Sequence, residues 1–130
     1  MACTLAVARY LNQLNVHRHN RDMDEMKMHK MMYLSQRESL MTVNRSLFDD
    51  SFEAWKFGPV LKVVRNEYKT GHMFNSEYEP LCEQEMDLVK SVFERYDSFD
   101  AWDLSTLLMR SFHGNRRVKV WRRGRMEDAN

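Results

Sequence analysis

The chain is sparing with the residues that punctuate folds. Only 4 glycines and 2 prolines occur in 130 residues, too few for the many tight turns of an all-β fold. The scattered glycines form neither a phosphate-cradling loop nor a Gly-x-Ser-x-Gly elbow. The 2 cysteines, Cys3 and Cys82, stand far apart without a neighbouring thiol, so neither a zinc knuckle nor a redox pair is indicated. They are expected to be reduced and partly buried. No apolar run approaches the ~18 residues of a membrane-spanning helix. The amino terminus "MACTLAVARYLNQLN" lacks the charged segment that precedes the apolar stretch of a signal peptide, and a cytoplasmic location is the expectation. Of the 5 histidines only His17 and His19, near Asp22 and Asp24, have a spacing conceivable for a metal, and they match none of the usual ligand arrangements. No metal, cofactor or catalytic role is expected.

Apolar and helix-forming residues are plentiful instead. The hydrophobic fraction is 43%, with 3 Trp, 5 Tyr, 7 Phe and an unusual 11 Met. That is enough for one folded domain, and Leu, Met, Glu, Lys and Arg all favour helices. Methionine fills irregular core gaps or lines adaptable surfaces, and core filling is the expectation here. The net charge of +1 is unevenly spread. Residues 76–103 carry nine acids against Lys90 and Arg95, whereas Arg116, Arg117, Lys119, Arg122, Arg123 and Arg125 follow one another without an acid. Such polarity suits an intramolecular contact, a charged protein partner or nucleic acid.

Apolar spacing organises the chain. Leu5, Ala8, Leu11 and Leu14 predict a first helix over Thr4–Val16, interrupted by "HRHNRD", whose Asn20 and Asp22 are good starters for the next. "DEMKMHKMMYLSQRESLMT" is apolar nearly all round its wheel, the mark of a helix that others pack around. Lys30 on it is expected to be partly enclosed, so its ammonium needs a partner or a route to water; His29 reads as a core-edge or capping residue. "SFEAW" reads as a short strand or hook. Pro59 after Gly58 is expected to start a third helix, with Val60, Leu61, Val64 and Tyr68 on one face and Gly71 at its end. Met86, Val89, Phe93 and Tyr96 stripe a fourth helix. Asp100 or Ser98 caps a shorter fifth that carries Trp102. "VKVWRRGR" is left as a strand, a helical turn or a tail. The expected fold is mainly α: one domain over residues 1–130, about five helices around the Met-rich second, with a short β hairpin or irregular strands and 115–130 as a basic tail.

"MKMHKMMYLSQRESL … LFDDSFEAWKFGPVLKVVRNEYK" resembles the SocA-like, or Panacea, domain of bacterial and phage antitoxins. That family's pattern is Leu-x-Lys-Leu-Leu-Tyr, then Gln, a loop ending Leu-Phe, then Glu-Ala-Trp-Lys-x-Gly-Pro-Val and a helix with Tyr or Phe. Met28, Lys30, Met31, Met32, Tyr33, Gln36, Leu47, Phe48, Glu53, Ala54, Trp55, Lys56, Gly58, Pro59, Val60 and Tyr68 take these positions. "FDAWDLSTL" is similar to the family's second motif, Phe-Ser-Ala-Trp-x-Leu-Ser. Met replaces Leu in the first motif, and "SFHGNRRVKVW" lacks the family's later Pro-Trp.

The resemblance implies a mostly helical, non-enzymatic antitoxin that neutralises a cognate toxin by direct protein contact, some relatives delivering the toxin to a protease. Lys30, Tyr33, Gln36, Glu53, Trp55, Lys56, Gly58, Pro59 and Trp102 are then the signature and candidate partner-surface residues. Trp55 is expected to be buried, and Glu53 or a backbone carbonyl to pair Lys30. The alternative is a nucleic-acid-binding regulator using Arg116, Arg117, Lys119, Trp121, Arg122 and Arg123. The near-neutral whole and the acidic fourth helix disfavour it.

Overall fold

A computed structural model describes residues 1–56, 58–100, 103, 104, 119–122 and 125–128. Helix α1 spans Thr4–His19 and buries Ala6, Val7, Ala8 and Leu11. The Thr4 hydroxyl donates to Asp50, and the capping position is Cys3. The helix runs beyond Val16 and ends at Asn20, whose φ of 59° lies in the left-handed region and whose N–H returns to Val16 O at 2.8 Å. The extra turn persists because Arg18 and His19 find a partner in Asp97 across the fold.

The link to the next helix is pinned by side chains. Asn12 accepts from Met23 N at 2.8 Å and donates to Asp22 at 3.0 Å, and Asn15 donates to Arg21 O at 2.9 Å. Asp22 is thereby engaged, and Asp24 caps α2 (Glu25–Thr42), accepting from Lys27 N at 2.9 Å. Every residue from Met28 to Ser35 on α2 is buried, as its apolar circumference requires. Met28, Met31 and Met32 are fully buried, worth about 2 kcal/mol of transfer free energy each. The core around them takes Val7 and Leu11 of α1, Phe48 and Phe52 of the following loop, and apolar residues of the later helices.

Gln36 holds that loop to α2. Its amide oxygen accepts from Leu47 N at 2.6 Å and Phe48 N at 3.3 Å, and its nitrogen donates to Phe48 O at 2.8 Å. One side chain thus does the work of a neighbouring strand for buried backbone that must be paired.

Strands β1 (Glu53–Trp55) and β2 (Gly58–Val60) then form an antiparallel hairpin with Trp55 opposite Gly58 and Ala54 opposite Pro59. Pro59 therefore does not begin a helix. Its fixed φ serves an extended strand as well as a first helical turn, and a two-stranded hairpin has outer edges where a missing N–H costs nothing. The turn needs Gly58, at φ 135°, a conformation that L side chains rarely adopt.

Helix α3 starts at Lys62 and ends at Thr70, with Gly71 at φ 75° closing it as expected. Its buried Glu67 organises the next loop, accepting from Phe74 N at 2.9 Å and Tyr78 Oη at 3.4 Å. Tyr68 Oη donates to Met23 O at 2.6 Å, tying α3 to the start of α2.

Helix α4 (Glu83–Tyr96) begins with Cys82 N donating to Glu85 at 2.8 Å and turns Val89, Val92 and Phe93 inward; Met86 of the expected stripe is exposed. Cys3 and Cys82 are also exposed rather than partly buried. Both sit at the caps of helices, outside the buried stripes. At the end of α4 the Asp97 carboxylate, 8% exposed, receives Lys27 Nζ at 2.7 Å, His19 Nε2 at 2.9 Å and Arg18 Nη1 at 3.2 Å. Burial pushes this carboxyl up, but the hydrogen bonds from Lys27, His19 and Arg18 outweigh it and hold the pKa below its usual value. This cluster fastens α1, α2 and α4 at one point.

Asp103 N and Leu104 N bond back to Asp100 at 2.8 and 3.0 Å, so Asp100 caps a helical turn and Leu104 is buried. The remainder of the expected fifth helix, including Trp102, lies outside the described residues. Of the basic segment, Lys119, Trp121 and Arg122 lie on β3 (Lys119–Arg122), which pairs antiparallel with β4 (Arg125–Asp128); Arg116, Arg117 and Arg123 lie outside. Among the described residues the fold is mainly helical, four helices with short antiparallel hairpins around one core. No helix there is long and apolar enough to cross a membrane.

Candidate partner-binding site

The hairpin β1–β2 and the first turn of α3 stand against the start of α2, and a connected chain of contacts joins them. It begins at the surface with Trp55, which is 41% exposed and not buried. The register explains why: Trp55 faces Gly58, which has no side chain to cover it, and a three-residue strand presents its last residue outward. The indole is nevertheless held. Its Nε1 donates to Glu53 at 2.9 Å, and the Arg65 guanidinium lies 4.7 Å from the ring centroid, within range of a cation–π contact.

Glu53 also takes Lys62 Nζ at 3.1 Å. The indole hydrogen bond, then Lys62, hold the Glu53 carboxyl below its usual pKa. On the other side Arg65 Nη1 reaches Glu25 at 3.1 Å, and the same carboxylate oxygen lies 3.0 Å from His29 Nε2. His29 Nδ1 accepts from Leu61 N at 3.2 Å. The neutral ring therefore carries its proton on Nε2 and donates it to Glu25. Burial keeps the His29 pKa below the ordinary imidazole value against the pull of Glu25. With both nitrogens engaged, His29 caps the entry to α3, as its position on α2 suggested, rather than acting as a base.

A cleft of about 460 Å³ lies on one side of the Trp55–Arg65 stack, lined by Met26, Lys30, Lys56, Pro59 and Val60 among others. A second hollow of about 430 Å³ shares Trp55 and Arg65 with it and is edged by Lys62, Asn66 and Lys69. Lys30 is 2% exposed, and burial pushes its ammonium pKa down while Asp24 draws it up. Glu53, one of the partners expected for Lys30, is occupied at its own hairpin by the indole and Lys62.

The signature residues thus divide. Lys30, Trp55, Lys56, Gly58 and Pro59 gather at the cleft, with Glu53 bonded to Trp55. Tyr33 and Gln36 serve the interior: Tyr33 is buried edge-on to Phe52 at 5.4 Å, and burial raises its pKa to about 12. Arg65, Glu25 and Lys62 escaped the sequence reading. The Glu25–His29 spacing of four residues on one helix face was the available signal; Arg65 and Lys62 carried none.

The architecture and the spacing of these residues agree with a comparison against protein families, in which residues 28–111 match the family described as antitoxin SocA-like, Panacea domain. The chain belongs to that family. The match takes in α2 from Met28 onward, the hairpin, α3 and α4, and so contains most of the cleft, whose Glu25 and Met26 lie just before it. No curated protein matches the Panacea chain, and no solved structure matches it. Among the described residues no group of three or more His, Cys, Asp or Glu side chains is placed to hold a metal ion; His19 serves Asp97 instead. What this Panacea domain brings together at the cleft is an indole held by Glu53 and Arg65, an apolar wall and several cations.

Proposed function

We propose that the chain, residues 1–130 taken as one Panacea domain, is a non-enzymatic cytoplasmic antitoxin that binds and neutralises a cognate toxin by direct protein contact at the Trp55 hairpin. The observation that carries this reading is a large aromatic left exposed yet fixed, in a chain of an antitoxin family. Trp and Arg are the residues that most often dominate binding energy. A ring already held by Glu53 and Arg65 loses little side-chain freedom on docking.

Co-expression tests the reading. Growth arrest caused by the product of a neighbouring gene should be relieved when the chain is co-expressed, and the two proteins should co-purify. Absence of both relief and complex refutes it. A shortened toxin lifetime on co-expression would identify a protease adaptor. Nucleic-acid binding that falls steeply with salt and vanishes on removing the residues after Asn115 would identify the regulator.

A further inference from the structure

We infer that His29 is the positioning residue of the Trp55 hairpin and that its proton sets the arrangement: the neutral ring ties the hairpin and α3 to α2, and protonation unties them. The inference concerns how the site is held and stands apart from the antitoxin reading. Leu61 is the single residue between β2 and α3. Its side chain is fully buried, and its N–H donates to His29 Nδ1 at 3.2 Å. A ring nitrogen accepts that bond only while it carries no proton. An added proton sets donor against donor and leaves a buried N–H without an acceptor.

Two holds on the indole run through this ring. On one side Leu61 continues from β2, whose Gly58 lies opposite Trp55 and whose Val60 lies opposite Glu53. On the other, Glu25 Oε2 is shared between His29 Nε2 at 3.0 Å and Arg65 Nη1 at 3.1 Å. Arg65 in turn bonds through its N–H to Leu61 O at 2.9 Å and sets its guanidinium 4.7 Å from the Trp55 ring centroid. An imidazolium competes with Arg65 for that carboxylate oxygen and repels the guanidinium. The charges about the ring are of both signs. Glu25 favours a proton on it, whereas Lys30 of α2 and Arg65 of α3 oppose one. Farther out, Asp24 acts on Lys30, Tyr68 of α3 stays a neutral phenol near Glu25, Lys56 lines the same cleft and Lys62 is paired with Glu53. Glu127 and Asp128 lie on β4, which packs against β1. Burial outweighs Glu25, so the ring is neutral at neutral pH and takes its proton only below the ordinary imidazole value of about 6.5. The folded state then binds fewer protons than the unfolded chain, and acid below that value works against the tied arrangement.

The test is a titration of the full chain, labelled with nitrogen-15 and followed by nuclear magnetic resonance from about pH 8 to about pH 4.5. The His29 ring nitrogens, the Leu61 amide and the Trp55 indole N–H are read together. At the start of the titration His29 should carry its proton on Nε2 alone. As the pH falls below about 6.5, the Leu61 and Trp55 signals should move with the His29 ring at one common midpoint while the far-ultraviolet circular dichroism holds its neutral value. His29→Asn keeps an oxygen able to accept from Leu61 N and does not titrate, so both signals should stay at their neutral positions. His29→Leu has no acceptor and should show displaced signals before any acid is added. Leu61 and Trp55 signals that stay in place as His29 titrates, a common midpoint that survives in His29→Asn, or a His29 ring that stays neutral until the helices melt would each overturn the inference. So would a Trp55 shift that waits for the Glu53 carboxyl, which holds the indole and lies below its usual pKa. The wild-type titration decides by itself where a variant does not fold.

Discussion

Replacing Asp97 by Asn removes the charge at the point where three segments meet and leaves the shape almost unchanged. The Asp97 side chain is 5% exposed, and its three partners differ: Lys27 is 14% exposed, His19 34% and Arg18 50%. Arg18 and His19 can turn toward water, so their loss is small, as for surface pairs. Lys27 cannot do so freely, because its Nζ also faces Asn15 and the Asp97 carbonyl. Breaking a fully buried pair costs about 3–5 kcal/mol, and the partial access of these cations reduces that to about 2–3 kcal/mol. For a domain of this size, that lowers the melting midpoint by roughly 10 °C at neutral pH.

The pH dependence gives a second, independent reading of the same substitution. The folded pKa of Asp97 lies below its unfolded value, so the folded state binds fewer protons. The stabilisation is complete above the ordinary carboxylate pKa of about 4 and is lost as pH falls through the lower folded value. Thermal melts of the wild type and Asp97→Asn should therefore differ most at neutral pH and converge in acid. A gap under about 2 °C at neutral pH, where surface pairs fall, or a gap that persists in strong acid, would refute the reasoning.

Other substitutions probe the loop clamp, the turn, the interior and the surface. Gln36→Leu removes the bonds to Leu47 and Phe48 and should cost about 2–3 kcal/mol in urea unfolding, since backbone groups lose their partner. Gly58→Ala, at φ 135°, should cost about 1–3 kcal/mol and weaken toxin binding with it, read by melting and co-purification. Tyr33, raised by burial from 10.0 to about 12, should be missing from the ordinary phenol absorbance titration. Its contribution to stability should be intact below pH 10 and decline as pH rises from there, because the folded state then holds the proton more tightly. Trp55→Ala should change stability by less than about 1 kcal/mol, the size of an exposed cation–π contact, yet abolish neutralisation in the growth assay.

The helices were largely readable from spacing because each buries a stripe of its own sequence. α2 is the clearest case, its apolar residues around the whole wheel matching an unbroken buried run from Met28 to Ser35. Gly71 likewise ended α3 where a residue able to take positive φ was needed. Gly58-Pro59 misled because its local preferences fit both a helix start and a strand. The choice was made by Glu53–Trp55, which supplied a partner strand, and by His29, which took the N–H of Leu61. The extent of α1 depended in the same way on Asp97, some eighty residues away.

Family membership and the mainly helical class lie within the linear pattern, since a motif such as Trp-Lys-x-Gly-Pro and an apolar period are properties of neighbouring residues. Tyr33, Gln36 and Trp55 all belong to the family pattern, yet Tyr33 is buried, Gln36 is half-buried against the following loop and Trp55 faces solvent. Nothing in their order separates them. Exposure of Trp55 follows from its position across from a glycine, and its rigidity from Arg65 and Glu53. The cleft therefore exists only once α2, the hairpin and α3 are packed, because its indole, guanidinium and carboxylates are brought together from segments that carry no record of one another.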